Sequence, residues 1–536
     1  MASESSSSKE PAVDAVFVGA EVEENLSIRT LTAAVRERGF SAVLVPFNNE
    51  EDEGKVAAAV LGRSPALVGL SVAFQHRAGE FLRLARTLRE EGYTGHICAG
   101  GHFPTATAEE LLRFNPQVDT VMCHDGIETI GRIMERVGDR HRLEEVPGLA
   151  FRAQDASIRL NAPPGAVRDL DRLPWPVRDG SLHVHVGRKF TTLFGSLGCY
   201  GNCSFCAINS YCRTRPGPRL RFRSPKNLAE EMARLYHERD ARIFCFHDDT
   251  FLLPHPGRTM ARMEELSSWL KKLGVGKIAV VAKARPDAVT RPLIESLVGG
   301  IGLIRLYLGV ENFSPAGLEN LGRRIDRETI DRALEACTAA GVYCCYNILM
   351  FEPDTVLDDI EENIHGMETY LPVPFNFSRT EAYNGTALWS RLRAAGRLRG
   401  NYLYTNYEIA DPSVEALFGI VAQAFKDRNF GPEALANLNS SLGYEARVLE
   451  HFLEGDDRRL GELQADVRDL MTRIGRHSLM CLREALAFVR GGGWKSRKDR
   501  VDYTIELSRK VNFEGTNLHA RLLELRQGIH ALSSGR

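Results

Sequence analysis

The sequence predicts an α/β protein in three parts: a doubly wound parallel sheet, a second array of strands and helices, and an all-helical end. Three observations predict it. Short apolar runs alternate with amphipathic stretches from Ala15 to Met122. The same alternation resumes at Arg188 and persists to about Leu392. Beyond residue 400 only helical periodicity remains. A chain of 536 residues exceeds a single core, and the divisions read as 1–12 (disordered tail), 13–145, 146–186 (linker), 187–400 and 401–536.

Met1 to Pro11 is rich in Ser and Glu and carries no apolar run, which reads as a tail rather than a signal peptide. The first part offers strands at Ala15–Val18, Ala42–Val45, Leu67–Ser71, His96–Ala99 and Thr120–Met122. Helices near Ile28–Arg38, Gly79–Glu91 and Ala108–Phe114 separate most of them. In doubly wound sheets ligands bind beyond the carboxyl ends of the strands. Those ends carry Ser71, then Gly100-Gly101-His102, then His124 to Thr129. Between Pro147 and His185 the prolines Pro163, Pro164, Pro174 and Pro176 and the lack of apolar periodicity predict an irregular linker.

In the second part Phe190–Phe194 reads as a strand, and Ser224-Pro225 opens a helix whose buried face is Leu228, Met232 and Leu235. Strands follow at Ile243–His247, Ile278–Ala282, Ile304–Gly309, Tyr343–Met350 and Phe375–Arg379. In the third part Asp411-Pro412 caps a helix. Further helical patterns run at Ala446–Glu454, Leu460–Arg490 and Val501–Lys510, and the basic residues Lys495, Arg497, Lys498 and Arg500 read as a solvated loop.

The most specific feature is Cys199, Cys203 and Cys206, spaced Cys-x3-Cys-x2-Cys on a glycine-containing loop after the first strand of the second part. Three thiolates on one loop hold three irons of a [4Fe–4S] cluster and leave the fourth without a protein ligand. A structural zinc site is the alternative, with Cys212 as its nearest fourth ligand.

This spacing and its flanks resemble the radical S-adenosylmethionine (SAM) superfamily. The resemblance implies a partial (β/α)6 radical SAM barrel, a [4Fe–4S] cluster, SAM bound at the open iron, and cleavage of SAM to a 5′-deoxyadenosyl radical. It also implies that Phe205 lies near the adenine. The first part resembles the cobalamin-binding, Rossmann-like domain of a large subgroup, with Ser71, Gly100, Gly101 and Glu128 matching its pattern. The subgroup's axial-histidine motif is absent: the matching stretch is Gly19 to Asn25. His76 and Arg77 are then the groups expected to face the corrin, with His76 reading as an ordinary solvated loop residue before it reads as a cobalt ligand.

From the same resemblance Asp248 and Asp249 are candidates for the SAM ammonium, or else a helix cap and turn. Glu311 matches the acid that contacts the ribose. Arg324 stands where the family has a basic residue, and Ile348 lies in the segment matching the fifth-strand motif. Arg379, Glu381 and Tyr383 are expected at the substrate mouth, as catalytic candidates or packing residues. Lys283 and Arg285 could pair with the SAM carboxylate or an anionic substrate, or lie at the surface.

A formal charge of −2 with interspersed signs gives no electrostatic case for nucleic acid or anionic lipid. No apolar run is long enough to span a membrane, and eleven cysteines suit a reducing cytoplasm. The expected function is a cobalamin-dependent radical SAM enzyme, a C-methyltransferase of a small metabolite served by an external flavodoxin- or ferredoxin-type reductant. The alternatives are a cobalamin-independent radical SAM enzyme with a vestigial first domain and a non-catalytic iron–sulfur carrier.

Overall fold

The computed structural model describes residues 11–453 and 458–534; most of the expected N-terminal tail lies outside them. The first sheet contains β1 (Ala15–Gly19), β2 (Ala42–Pro46), β3 (Leu67–Ser71), β4 (His96–Gly100) and β5 (Thr120–Met122), all parallel in the order β2-β1-β3-β4-β5. The order reverses between β1 and β3, which opens a ligand crevice beyond their carboxyl ends. Near-continuous apolar runs such as Ala15–Val18 are buried because helices cover both faces. Val56, Val60, Phe81, Leu84 and Leu88 pack on one side, and Ile28, Val35, Ile130 and Ile133 on the other.

The segment expected as a linker starts later than residue 146. Strands β6 (Leu149–Arg152) and β7 (Ile158–Leu160) add an antiparallel hairpin to the first sheet. Its turn is local chemistry: Asp155 accepts from the Ser157 amide at 3.0 Å, and Ala156 takes a positive φ.

The second sheet begins with β8 (His183–His185), antiparallel to β9 (Arg188–Leu193). A two-residue β10 (Ser196–Leu197) pairs with β11 (Arg221–Phe222) and clasps the base of the cysteine loop. Then come β12 (Ala241–Phe246), β13 (Ala279–Ala284), β14 (Leu303–Glu311), β15 (Tyr343–Phe351) and β16 (Phe375–Arg379). The order β16-β15-β14-β13-β12-β9 is sequential and parallel, so the helices lie on one side and the sheet curls into a half-barrel. The Ser224 cap forms as expected, its hydroxyl accepting from the Asn227 amide at 3.1 Å.

Strand alternation divides the barrel residues. Phe244, Phe246, Val280, Ala282, Leu306, Leu308, Tyr346 and Ile348 belong to the core beneath the outer helices. Ile243, Ala279 and Val281 point inward, where they meet Leu435, Leu438 and Leu442 of the helix Leu435–Phe452. The C-terminal helices therefore close the floor of the barrel.

A hairpin of β17 (Leu398–Gly400) and β18 (Thr405–Tyr407) reaches back to the first domain. There Tyr402 accepts from Asn115 Nδ2 at 2.6 Å and stacks near Phe103 and Phe114. The last helix runs Arg497–Ser534, longer than expected at its start. The Ser496 hydroxyl accepts from the Asp499 amide at 3.2 Å, so Arg497, Lys498 and Arg500 lie in its first turns rather than on a loop. Among the described residues no helix is long and apolar enough to cross a membrane.

Candidate active site at the mouth of the barrel

The cysteine loop leaves β9 at Leu193 and enters the helix Ala207–Arg213 directly after Cys206. Its glycines are required by close approach: a Cβ on Gly198, whose φ is +90°, would collide with the Arg219 carbonyl. The Gly201 amide lies 3.3 Å from the Cys199 sulfur. Two guanidinium groups converge on Cys203, Arg323 Nη1 at 3.1 Å and Arg285 Nη1 at 3.3 Å from its sulfur. Arg285 also donates to the Arg323 carbonyl at 2.9 Å and pairs with Asp287 at 3.0 Å, so both cations are held in place.

Burial pushes the Cys199 thiol up and the Cys206 thiol to about 12. Bound cations are what convert such thiols to the thiolate that ligates metal. Among the described residues no group of three or more His, Cys, Asp or Glu side chains is arranged around a single ion. A cubane makes a different demand, one thiolate per iron along a loop, with hydrogen bonds to sulfur setting its potential. The loop and its arginines fit that demand. Cys212 lies against Arg215, Nη2 to sulfur 4.0 Å.

Alternation stacks the inward side chains in layers above the floor. Cys245 is followed by His247, Val281 by Lys283 and then Arg285, Arg305 by Tyr307, and Cys345 by Asn347. Arg305 and Cys345 belong to the floor, 3.3 Å apart, with Ser440 3.1 Å from Arg305. One carboxylate enters from the other domain: Glu23, in the loop after β1, lies 3.0 Å from His247 Nε2. That hydrogen bond holds the Glu23 carboxyl below its ordinary range against the cost of burial, with Lys283 and His185 adding in the same direction.

The neighbouring acids separate by the same alternation. Asp248 continues the outer parity of Phe244 and Phe246; it is 2 % exposed and accepts from Ser196 Oγ at 2.6 Å and the Gly195 amide at 2.9 Å. It thus braces the base of the cysteine loop, which corrects its expected place against the cofactor. Asp249 takes the inner parity, is accessible from the lumen, and accepts from the Gly198 amide at 2.9 Å. Burial pushes its carboxyl up, opposed by His102.

Burial also pushes Asp248 up, from about 3.8 to about 6. Between these values the folded carboxyl keeps a proton that the unfolded one releases, so stability falls as pH rises through that window. Asp248→Asn is expected to flatten the slope of unfolding free energy between about pH 4 and 6, removing up to ~3 kcal/mol of pH dependence. Denaturant unfolding across that range measures it.

Several other sequence expectations change place. Arg324 is exposed and Arg323 is the residue that reaches Cys203. Ile348 is fully buried in the outer core, and Asn347 is its inward neighbour. Arg379 shares the outer parity of Phe377. It stacks on Tyr407, 3.9 Å from its guanidinium carbon to the ring centre, and lies 3.8 Å from Glu415, so it anchors the C-terminal region instead of facing a substrate. Glu381 is exposed and Tyr383 half-buried beyond β16, and burial pushes both their pKa values up. Glu311 lies inward with a positive φ; burial raises its carboxyl, opposed by Arg323 and Arg285. Phe205 packs half-buried against the barrel core.

At the strand ends of the first domain, Ser71 and Gly100 are half-buried neighbours across β3 and β4. Gly101 has φ +117°, and a Cβ there would stand 2.7 Å from the Val72 carbonyl. His76 is exposed beside Phe74, which is 58 % exposed. Arg77 is turned away from this edge, paired with Glu80 at 2.6 Å and lying over the Phe47 and Phe81 rings. Glu128 is exposed in the first turn of the helix Gly126–Met134. His124 has a positive φ, and its Nδ1 is buried without a hydrogen-bond partner. A glycine-lined crevice with accessible apolar and polar groups fits a large planar ligand and its tail.

This edge faces the barrel mouth. Gln75 accepts from Asn384 Nδ2 at 2.9 Å, Asp125 pairs with Arg221 at 2.7 Å, and the His102 ring meets Tyr211 edge-on with centres 4.6 Å apart. Glu23, His247 and Arg323 had no role in the sequence reading, and His102 was only placed at a strand end. No motif marks Glu23 or His247, because their pairing joins residues 224 positions apart. For Arg323 the adjacent basic residue was the only signal.

The Radical SAM superfamily model matches residues 194–365, and the B12-binding domain model matches residues 14–133. The chain thus carries a radical SAM domain preceded by a B12-binding domain. The uncharacterized methyltransferase PH0819 of Pyrococcus horikoshii is 23% identical over 393 residues, 72% of this chain and 82% of that protein. The hopanoid C-3 methylase of Methylococcus capsulatus is 24% identical over 378 residues, 68% of each. Among solved structures, the cobalamin-dependent radical enzyme OxsB with aqua-cobalamin bound superposes with a TM-score of 0.70 at 16% identity, covering 97% of this chain and 84% of that one. The radical SAM methyltransferase TsrM from Kitasatospora setae superposes with a TM-score of 0.63 at 14% identity, covering 90% and 99%. The radical SAM enzyme and its B12-binding domain bring their cofactors with them: SAM, a [4Fe–4S] cluster and cobalamin.

Proposed function

We propose that the protein is a cobalamin-dependent radical SAM C-methyltransferase acting on a small metabolite. The observation that supports this most is that the ligand edge of the B12-binding domain is docked on the barrel mouth that carries the cysteine loop, through the Glu23–His247, Gln75–Asn384, His102–Tyr211 and Asp125–Arg221 contacts. When bound, the cluster supplies an electron for cleaving the sulfonium of SAM, and cobalamin supplies a methyl group. An external one-electron reductant of the flavodoxin or ferredoxin type would serve the cluster.

In this reading Cys199, Cys203 and Cys206 each hold an iron, and Arg285 and Arg323 offset the thiolate charge. Asp249 receives the methionyl ammonium, since a carboxylate stabilises a cation strongly where water is scarce. Glu311 binds the ribose and Phe205 lies by the adenine. Ser71, Gly100 and Gly101 line the corrin's tail, His76 stands at its face and Glu128 at its edge. Glu381 and Tyr383 border the substrate, while the floor helices keep water out of a site where a carbon radical must survive. The methyltransferase relatives along most of the chain support methyl transfer as the outcome.

The test is anaerobic binding of hydroxocobalamin, read as a corrin absorption that remains with the protein through gel filtration. The unaltered protein is expected to retain it and Gly101→Val to lose it, because any side chain at φ +117° is strained and meets the Val72 carbonyl. Failure of the unaltered protein to bind corrin would remove methyl transfer from consideration.

A further inference from the structure

Two elements back the cysteine loop at Ser204, which lies between Cys203 and Cys206. The Ser204 amide and hydroxyl donate to the Leu321 and Asn320 carbonyls at 2.8 and 3.0 Å, and its carbonyl accepts from the Leu388 amide at 2.8 Å. Leu321 ends the helix Pro315–Asn320 and leads to Arg323 and Arg324, while Leu388 stands in the first turn of the helix Ala387–Ala394. The helix after Cys206 joins them, Ser210 Oγ donating to the Gly385 carbonyl at 2.7 Å. Arg323 sends its guanidinium inward to the Cys203 sulfur, and Arg324, the next residue, is exposed. Solvent and the side chain that touches a cluster ligand are one residue apart there.

The rim so formed is basic. Residues 199–224 and 385–407 hold nine arginines and no Asp or Glu, so the signs are not interspersed here as they are along the rest of the chain. Arg215, Arg221 and Arg223 are buried, whereas Arg213, Arg391 and Arg393 are exposed, and Arg324 joins them from its turn. Arg213 donates to the amide oxygens of Asn202 at 2.5 Å and Asn209 at 3.2 Å, and Arg393 lies over the Trp389 ring, 5.0 Å from its centre. The acids of this rim are fewer. Asp354 is shared by Arg391 and Arg397 at 2.7 and 2.6 Å, and Glu319 and Asp326 flank the turn. Half-buried Trp389 sets an aromatic ring among these cations, and Trp and Arg are the residues that most often anchor protein interfaces.

We propose that this rim is the docking surface for a flavodoxin-type electron carrier, whose acidic face meets Arg213, Arg324, Arg391 and Arg393 and whose flavin edge meets Trp389. This rests on the reading that an external one-electron reductant serves the cluster, and adds where it binds. The carrier's reduced flavin gives up one electron and the cluster accepts it, with no bond made or broken. Electron transfer slows steeply with distance, and the elements that carry these residues are hydrogen-bonded to the cysteine loop itself. Opposite charge steers the encounter, an effect that salt screens.

The experiment titrates the reconstituted holoenzyme, without oxygen, into dye-labelled oxidised flavodoxin and reads fluorescence anisotropy. Saturable binding that weakens with salt is expected. The double variant Arg324→Glu with Arg393→Glu should bind at least ~10-fold more weakly, the low end of what electrostatic steering contributes. Lys498→Glu with Arg509→Glu changes the net charge equally at exposed positions of the last helix, and its affinity should stay within about twofold because distant surface charges are screened. Cluster reduction by reduced flavodoxin should slow in the first variant, while reduced methyl viologen, a small cation, should reduce it no more slowly than the unaltered protein. Iron content and thermal unfolding check that both variants are intact. No binding of flavodoxin by the unaltered protein, equal affinity in the first variant, or an equal loss in the second overturns the proposal, as does displacement of flavodoxin by an equal concentration of bulk tRNA. Formation of 5′-deoxyadenosine with viologen as reductant tests the radical reading separately, and the titration with oxidised flavodoxin still decides the surface if that reading fails.

Discussion

Cys203→Ala is expected to abolish 5′-deoxyadenosine formation from SAM under strong reductant and to leave the reconstituted protein depleted in iron and sulfide. Cys203 is the cysteine on which both Arg285 and Arg323 converge. Alanine removes one of three protein thiolates for a cluster that has no fourth to substitute. It also leaves two guanidinium groups facing one another without the anion between them, a like-charge contact in a buried setting. Cys212→Ser provides the contrast. Its sulfur lies against Arg215, and iron content should stay within about twofold of the unaltered protein, well short of the losses that accompany disrupting even an outer-shell partner. Iron retained in Cys203→Ala but lost in Cys212→Ser would refute the ligand assignment.

Glu24→Ala is expected to lower the stability of the joint between the two domains by about 3–5 kcal/mol, the range for breaking a buried ion pair. Glu24 is 4 % exposed. Its carboxylate accepts from Arg178 at 2.8 Å, Thr191 Oγ1 at 2.7 Å and the Thr192 amide at 2.9 Å, and Arg29 stands 3.6 Å away. Arg178 continues to Glu231 at 2.9 Å, and Glu231 to Arg223 at 2.5 Å. Burial works to raise the Glu24 carboxyl, but Arg178, the two threonines and Arg29 outweigh it and hold the group below the ordinary range. A depressed carboxyl contributes stability that is complete above the unfolded value of about 4.5 and is lost as pH falls through the folded one. The variant should therefore unfold earlier at neutral pH and show a shallower loss on acidification below about 4.5. Denaturant unfolding reads both, and limited proteolysis between residues 161 and 182 reads the loosened joint. An unchanged midpoint at pH 7 would show that the network contributes nothing net.

The strand positions were legible in the sequence because buried parallel strands are written as apolar runs with little else in them. Ala15–Val18, Leu67–Ser71 and Phe375–Arg379 could be placed within a residue. The hairpin β6–β7 was not, because its strands are short and stand among prolines and polar residues that read as linker. The side of a strand was harder still. Asp248 and Asp249 are adjacent in sequence, yet one braces the loop from behind and the other opens on the lumen. A single residue of register decides between them, and neither residue type reveals it. Arg379 was misplaced for the same reason.

The sequence by itself determined the cysteine motif and its setting: three cysteines on a glycine-bent loop, a strand before and a helix after, are local features written in consecutive residues. Only the tertiary structure decided what surrounds that loop. The two arginines at Cys203 come from residues 82 and 120 positions away, and Glu23 enters the barrel from another domain. Those groups are brought together by strand order and domain docking, long-range contacts that leave no local mark in the chain.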